Sequence, residues 1–298
     1  MIDDKPSQTA LHVAAARAAH LRFDPPPHLL EDRCAEPLLG DQADELIESY
    51  ADSGSWLLLE NRLAIPLRAR YLEDRLTKAY QSGVRQLVVL GAGLDSYAFR
   101  RPTEQAELAI FEVDHPNTQR WKTARLAQLG WSPPPNLAFV PCDFESEDVS
   151  TALRDTRYKP TQPAVISWMG VTYYLTPETT HRALCDLHAL LAPGSEVVFD
   201  FQYPLETLSE RYRAVPATLD RYLSQVGEPQ YNRYRREALI AAGWDAGFAE
   251  VLVEPRDALE AAYYAPLRSA IPMSERFGLA VATRGRGEAT RPGRDRLP

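Results

Sequence analysis

From residue 86 onward, short apolar runs alternate with longer stretches of mixed polarity. Gln86–Leu90 (QLVVL), Leu108–Val113, Leu137–Pro141, Ala164–Trp168 and Glu196–Phe201 read as strands. Thr118–Leu129, Val149–Asp155 and Pro177–Leu191, lying between them, suit helices. Runs this predominantly apolar mark strands covered on both faces, because a half-exposed strand would alternate. Strand and helix in strict alternation predict a doubly wound, mostly parallel α/β sheet. Upstream, Ala10–Leu21 and Asp41–Ser49 read as helices separated by the Pro25–Pro27 cluster, and Leu67–Tyr80 repeats apolar residues at helical spacing before Gly83. These suggest a helical cap over 1–65 on a core over 66–283. After Phe201 the rhythm breaks. Residues 202–230, rich in Tyr, Arg and Pro, read as an inserted helical lid. Asn232–Ala242 and Arg256–Leu267 suit helices, Phe248–Val253 and Phe277–Thr283 an antiparallel closing pair, and 284–298 a disordered tail.

Composition narrows the class. The 298 residues carry a net charge of −8 with 45% hydrophobic and 25% charged residues, ordinary globular usage with no basic field for nucleic acid. Cys34, Cys142 and Cys185 are odd in number and form no CxxC pair, so neither a disulfide framework nor a zinc site is expected, and a reducing cytoplasm is. No metal is expected either: the six histidines show no ligand spacing. The N-terminus lacks a signal-peptide pattern, and no apolar run approaches the roughly 20 residues that span a bilayer.

The sharpest local signal is Gly91-Ala92-Gly93-Leu94-Asp95, directly after the first strand. Paired glycines permit a tight turn and close approach of backbone to a ligand, although a plain strand–helix turn would use them too. Asp114 closes the second strand, 21 residues beyond Gly93, where an acid can accept both ribose hydroxyls of an adenosine. A nicotinamide oxidoreductase would need the same acid, but the third glycine of its fingerprint is Ser96 here, which disfavours a pyrophosphate. Asp143 and Phe144 follow the third strand, suited to an adenine edge and face. This second acid favours S-adenosylmethionine over a dinucleotide; a helix N-cap is the competing role for Asp143.

The runs RARYLEDRLTKAYQSGVRQLVVLGAGLDSYAFR (Arg68–Arg100), EVDHP (Glu112–Pro116), CDFE (Cys142–Glu145) and GVTYYLTPE (Gly170–Glu178) resemble the leucine carboxyl methyltransferase superfamily. That superfamily includes enzymes that methylate the C-terminal leucine of a protein phosphatase and bacterial O-methyltransferases of polyketide and other secondary metabolism. The resemblance implies that Arg68, with Arg70 as second choice, pairs with the methionine carboxylate, that Gly91, Gly93 and Asp95 underlie the methionine part, and that Asp114 and His115 adjoin the ribose. Asp143 and Phe144 would hold the adenine. Many relatives carry Glu where this chain has Met169, a departure that looks closer to the polyketide-type branch. The acceptor implied is a small molecule with a carboxyl or hydroxyl group, with protein carboxyl methylation as the alternative. A non-catalytic cofactor-binding module is the reading outside enzymes.

Methyl transfer from a sulfonium needs alignment and exclusion of water more than acid–base chemistry. Tyr173, Tyr174 and His115 are the catalytic candidates: the tyrosines follow strand four, where an acceptor meets the methyl group, and His115 adjoins the ribose acid. Core aromatics and a loop histidine fixed by Pro116 are the alternatives. In the lid candidate, Tyr203, Tyr212, Tyr222, Tyr231 and Tyr234 interleave with Arg211, Arg213, Arg221 and Arg233, a composition that suits a flat or anionic acceptor or a solvated helix face.

Overall fold

The computed structural model describes residues 7–51, 55–144, 146–213 and 230–286. Tyr222 and Arg221, most of the expected lid and most of the expected tail lie outside them. Seven strands form one sheet: β1 Gln86–Leu90, β2 Ala109–Asp114, β3 Leu137–Pro141, β4 Val165–Trp168, β5 Glu196–Gln202, β6 Glu250–Val253 and β7 Phe277–Thr283, in the order β3-β2-β1-β4-β5-β7-β6. All neighbours pair in parallel except β7, which runs antiparallel to both β5 and β6. The doubly wound, mostly parallel α/β architecture is therefore as expected. The closing pair is antiparallel too and forms the sheet edge, with β7 between β5 and the outermost strand β6.

The alternation of side chains explains why the strands carry apolar residues toward both faces. Leu87 and Val89 of β1, with Ile110, Val165, Val198, Leu279 and Val281, face the long helix α4 (Trp56–Gln81) and its Leu63, Leu67, Leu72 and Leu76. Val88 and Leu90, with Phe111, Ile166, Val197 and Phe199, face the opposite side and meet Leu184 and Leu187 of α8 (Pro177–Leu190). A strand shifted by one residue would exchange these sets, so the pattern pins the register.

Helix α1 spans Gln8–Phe23, α2 Ala35–Leu39 and α3 Ala43–Glu48. Helix α4 begins eleven residues before the expected Leu67 and tolerates Pro66 in its interior, so it runs through residue 65, where the pattern places the cap's edge. Two further helices differ from expectation. The helix expected from Asn232 starts at Arg236, because the peptide N–H groups of Tyr231, Asn232 and Tyr234 are drawn to Tyr173 and Gln202 carbonyls instead; it then continues through Gly243 to Asp245. The helix expected over Arg256–Leu267 is four residues of α-helix followed by a π turn at Glu260–Tyr264. Short helices α5 (Tyr97–Arg100), α6 (Pro116–Gln128) and α7 (Val149–Arg154) link the first four strands. Among the described residues, no helix is long and apolar enough to cross a membrane, and no group of His, Cys, Asp and Glu could hold a metal.

Candidate functional site

Strand order reverses between β1 and β4, and at such a switch point the loops at the carboxyl ends diverge and leave a crevice. A cavity of about 640 Å³ opens there, walled by α1, α4 and the tips of β1 to β4. Arg68, Gly91, Gly93, Asp95, Asp114, His115, Asp143, Phe144, Met169, Tyr173 and Tyr174 all line it.

The glycine loop is built for close contact. Gly91 and Gly93 sit at φ +65° and +52°, where a side chain is strained, and a Cβ at Gly93 would lie 3.1 Å from that of Ala10 on α1. The peptide N–H of Gly93 donates to one oxygen of Asp114, and that of His115 to the other at 2.6 Å. A carboxylate offers about four lone-pair sites, so Asp114 keeps acceptor capacity for two hydroxyls. Burial pushes its carboxyl above the usual range, against the two backbone donors. Asp143 lies one strand further, at the tip of β3. Helix α7 starts only at Val149 with Asp148 as its N-cap, so Asp143 does not cap it. Phe144 is 46% exposed on the cavity wall.

His115 has a structural task. Its Nδ1 accepts the Asn117 N–H at 3.2 Å and caps α6, whose first residue is Pro116. Only Nε2 is left for a ligand. Asp95 similarly accepts the Tyr97 N–H at 2.8 Å.

On the β4–β5 side, Arg68 donates from Nη1 to Asp200 at 3.0 Å and to the Tyr173 hydroxyl at 3.1 Å. Burial disfavours its charge, but Tyr173 and Asp200 more than offset this and hold the guanidinium firmly protonated. The other Asp200 oxygen accepts the Gly170 N–H at 2.6 Å. Gly170 lies at φ +77°, and the Arg68 guanidinium packs 3.2 Å from where its Cβ would be. Burial, then the Asp200 charge, pushes the Tyr173 hydroxyl up, so it is a neutral donor and acceptor. Arg70, the second choice, pairs with Asp74 on the half-exposed face of α4 and is not among the lining residues.

Several residues around the loop went unpredicted. The Leu94 carbonyl accepts from Arg17 of α1 at 2.7 Å, and the Asp95 carbonyl from Lys122 of α6 at 2.7 Å. Lys122 also pairs with the Glu112 carboxylate. Burial raises the Glu112 carboxyl to about 7 despite that partner. Buried Asp32 accepts from Arg17 Nε at 2.7 Å and from the Ser96 hydroxyl at 2.6 Å, while Arg100 donates to Ser96 at 3.0 Å and to Glu73 at 2.6 Å. Ser96, conspicuous as a missing glycine, is thus the tie between loop and cap. None of these contacts has a local signal, since each joins residues 15 to 77 positions apart or answers a buried charge. Asp200 was hidden between Phe199 and Phe201 within a largely apolar strand.

Comparison with known proteins gives the family and the fold. The model of the leucine carboxyl methyltransferase family matches residues 10–188. The Bacillus subtilis protein YktD, provisionally assigned as an S-adenosyl-L-methionine-dependent methyltransferase, is 33% identical over 222 residues, 67% of this chain and 72% of that protein. A Mycobacterium marinum protein with the same provisional assignment is 34% identical over 233 residues, 71% of this chain and 74% of its own. Among solved structures, one provisionally assigned as a methyltransferase from Thermobifida fusca covers 95% of this chain and 96% of its own at a TM-score of 0.60 and 18% identity. A DUF574-family protein from Streptomyces avermitilis covers 95% and 100% at 0.61 and 15%. At such identities these two speak for the fold alone. The family match runs from α1 to α8 and takes in the tips of β1 to β4 that surround the cavity, and the chain belongs to the leucine carboxyl methyltransferase family.

Proposed function

We propose that this S-adenosylmethionine-dependent methyltransferase transfers its methyl group to an oxygen, carboxyl or hydroxyl, of a small molecule such as a polyketide or other secondary metabolite. The observation behind the cofactor half of the reading is that Asp114 and Asp143, from adjacent strand tips, open into the same cavity as the Gly91–Gly93 turn. Asp114 takes the ribose hydroxyls, Asp143 and Phe144 the adenine, and Arg68 the methionine carboxylate. Gly91, Gly93 and Asp95 lie under the methionine part, and Met169 closes the wall beside it. The neutral lining of Met169, Val171 and Leu175 excludes water from the reacting centre. Tyr173, fixed by Arg68, and neighbouring Tyr174 orient the acceptor oxygen; His115 keeps a ring nitrogen within the cavity. When bound, the donor would supply an electrophilic methyl and be left as a neutral thioether, while Tyr173 and Tyr174 would present the acceptor oxygen, any proton of which would pass to water.

Isothermal titration with S-adenosylhomocysteine tests this. Saturable binding is expected, weakened at least tenfold in Asp114→Ala, about 1.4 kcal/mol. Unchanged affinity in that variant removes Asp114 from the ribose, and no binding at millimolar ligand removes the reading.

A further inference from the structure

We infer that Lys122 is a positioning residue for the methyl donor: its buried ammonium, carried by α6, fixes the Asp95 peptide and so sets the bend on which the methionine part rests. This builds on the methyltransferase reading above and adds a residue that acts without touching the ligand.

The place of the charge is unusual. On α6, Thr118, Lys122 and Leu126 follow at steps of four, and none is more than 2% exposed, so they share the buried face of the helix. The centre of such a stripe ordinarily takes an apolar side chain. A lysine there gives up the hydration of its ammonium, which is costly unless the charge is both paired and hydrogen-bonded.

Its partners show what the charge does. Nζ donates to the Asp95 carbonyl at 2.7 Å and to the Glu112 carboxylate, and it lies 5.8 Å from the centre of the Phe139 ring. Asp95 ends the Gly91–Asp95 bend, and its carbonyl is where α6 grips that bend. Arg17 grips the Leu94 carbonyl from α1, and Asp114 of β2 accepts the Gly93 N–H. Three elements thus hold three successive residues of one loop. A bond from a charged donor is roughly twice as strong as a neutral one and fixes direction as well as distance. Asp95 lines the cavity and Lys122 does not, so the effect of Lys122 on a ligand passes through the loop.

Glu112 is the tether rather than the object of the pair. Its Oε1 has no partner, and burial raises its carboxyl to about 7 against the pull of Lys122. An acid this reluctant to ionise would stay protonated alone and would need no buried cation. A buried pair kept for stability alone can often be exchanged for apolar residues of similar volume without loss. If Lys122 serves the loop, the same exchange leaves the fold intact and weakens the ligand.

The test uses the full chain, with S-adenosylhomocysteine affinity measured by isothermal titration and stability by urea unfolding. Lys122→Met should weaken binding about tenfold, since the loop loses its charged donor. Lys122→Met combined with Glu112→Leu removes both charges; it should be at least as stable as wild type and still bind about tenfold more weakly. Glu112→Gln keeps an acceptor for Lys122 and its hold on Asp95, so affinity should stay within about threefold. Wild-type affinity in the double variant, or a loss in Glu112→Gln as large as in Lys122→Met, shows that the pair serves the fold alone and overturns the inference while the methyltransferase reading stands. Failure of the wild-type chain to bind S-adenosylhomocysteine overturns the reading beneath it.

Discussion

The two halves of the sheet are built differently. On the β1–β3 side every pairing is parallel and the loops at the tips are held by buried charge: Arg17, Asp32, Arg100 and Glu73 behind the glycine loop, Lys122 and Glu112 beneath it. On the β5–β7 side the pairing is antiparallel and the contacts are mostly apolar, Phe199 and Phe201 of β5 against Ala280 and Gly278 of β7. One half must hold atoms of a fixed ligand to within a fraction of an ångström, and directional hydrogen bonds between charged groups do that better than packing. The other half needs only to present a wall. Both halves contribute stability but only one should set ligand affinity, and variants on the two sides should separate the two.

The largest effect is expected behind the glycine loop. Asp32→Ala strips the counter-charge from buried Arg17 and an acceptor from the buried Ser96 hydroxyl, while half-buried Arg100 keeps Glu73. Breaking a buried pair in this way costs about 3 kcal/mol, measured by urea unfolding, and should also weaken S-adenosylhomocysteine at least fivefold, because Arg17, which holds the Leu94 carbonyl, loses its anchor and Ser96 loses one of its two partners. The acid limb gives an independent readout. Burial alone would push the Asp32 carboxyl up, but Arg17, Arg100 and Ser96 reverse this and hold it below its ordinary value of 3.8. A carboxyl depressed in the folded state adds stability above the unfolded value and loses it as pH falls through the folded one. Wild-type stability should therefore drop as pH falls below about 4, more steeply than in Asp32→Ala. Parallel curves would mean that Asp32 carries no folded-state charge coupling.

A packing change on the far side should do the opposite. Gly278 faces Phe201 across the antiparallel ladder, and a Cβ there would lie 2.4 Å from the ring edge. Gly278→Ala forces ring or strand to shift, about 2 kcal/mol for overpacking. Affinity for S-adenosylhomocysteine should stay within twofold once the protein is folded. A tenfold loss would show that the two halves are coupled through β5, whose Asp200 holds Arg68.

The same division governs what could be read from the sequence. The parallel half was legible because its demands are local: an apolar run ends, glycines permit the turn, and an acid stands at the next tip, so spacing was enough to expect Gly91, Gly93, Asp114 and Asp143 around one crevice, as they are. The ties behind them were not. Arg17 reaches Leu94 across 77 positions, and a buried arginine in an Ala-rich helix looks like any other until the fold puts a carbonyl beside it. Likewise β7 was legible as a strand, but its insertion between β5 and β6 depends on long-range packing that no period reveals. The late start of the helix at Arg236 follows from backbone bonds to Tyr173 and Gln202, again long-range. The aromatic wealth of 202–234 was visible, but only the fold shows that Tyr231 reaches the cavity rim.

The smallest effect concerns the edge of the well-held half. Phe144 follows Asp143 at the end of β3 but, at 46% exposure, is not locked as the loop behind Gly93 is. A base stacked on an aromatic ring is worth about 1–3 kcal/mol when well covered; with one face of this ring open to water the low end applies. Phe144→Ala should therefore weaken S-adenosylhomocysteine about fivefold, with unfolding stability changed by less than 0.5 kcal/mol as for other exposed substitutions. Phe144→Leu should recover only part of the loss, since it restores area but not a flat face. If Phe144→Ala matched Asp114→Ala in effect, the adenine would be held chiefly by stacking rather than by the carboxylates at the strand tips. If it were silent, Asp143 alone would set the adenine end, and the ring would be free to serve the acceptor rim instead.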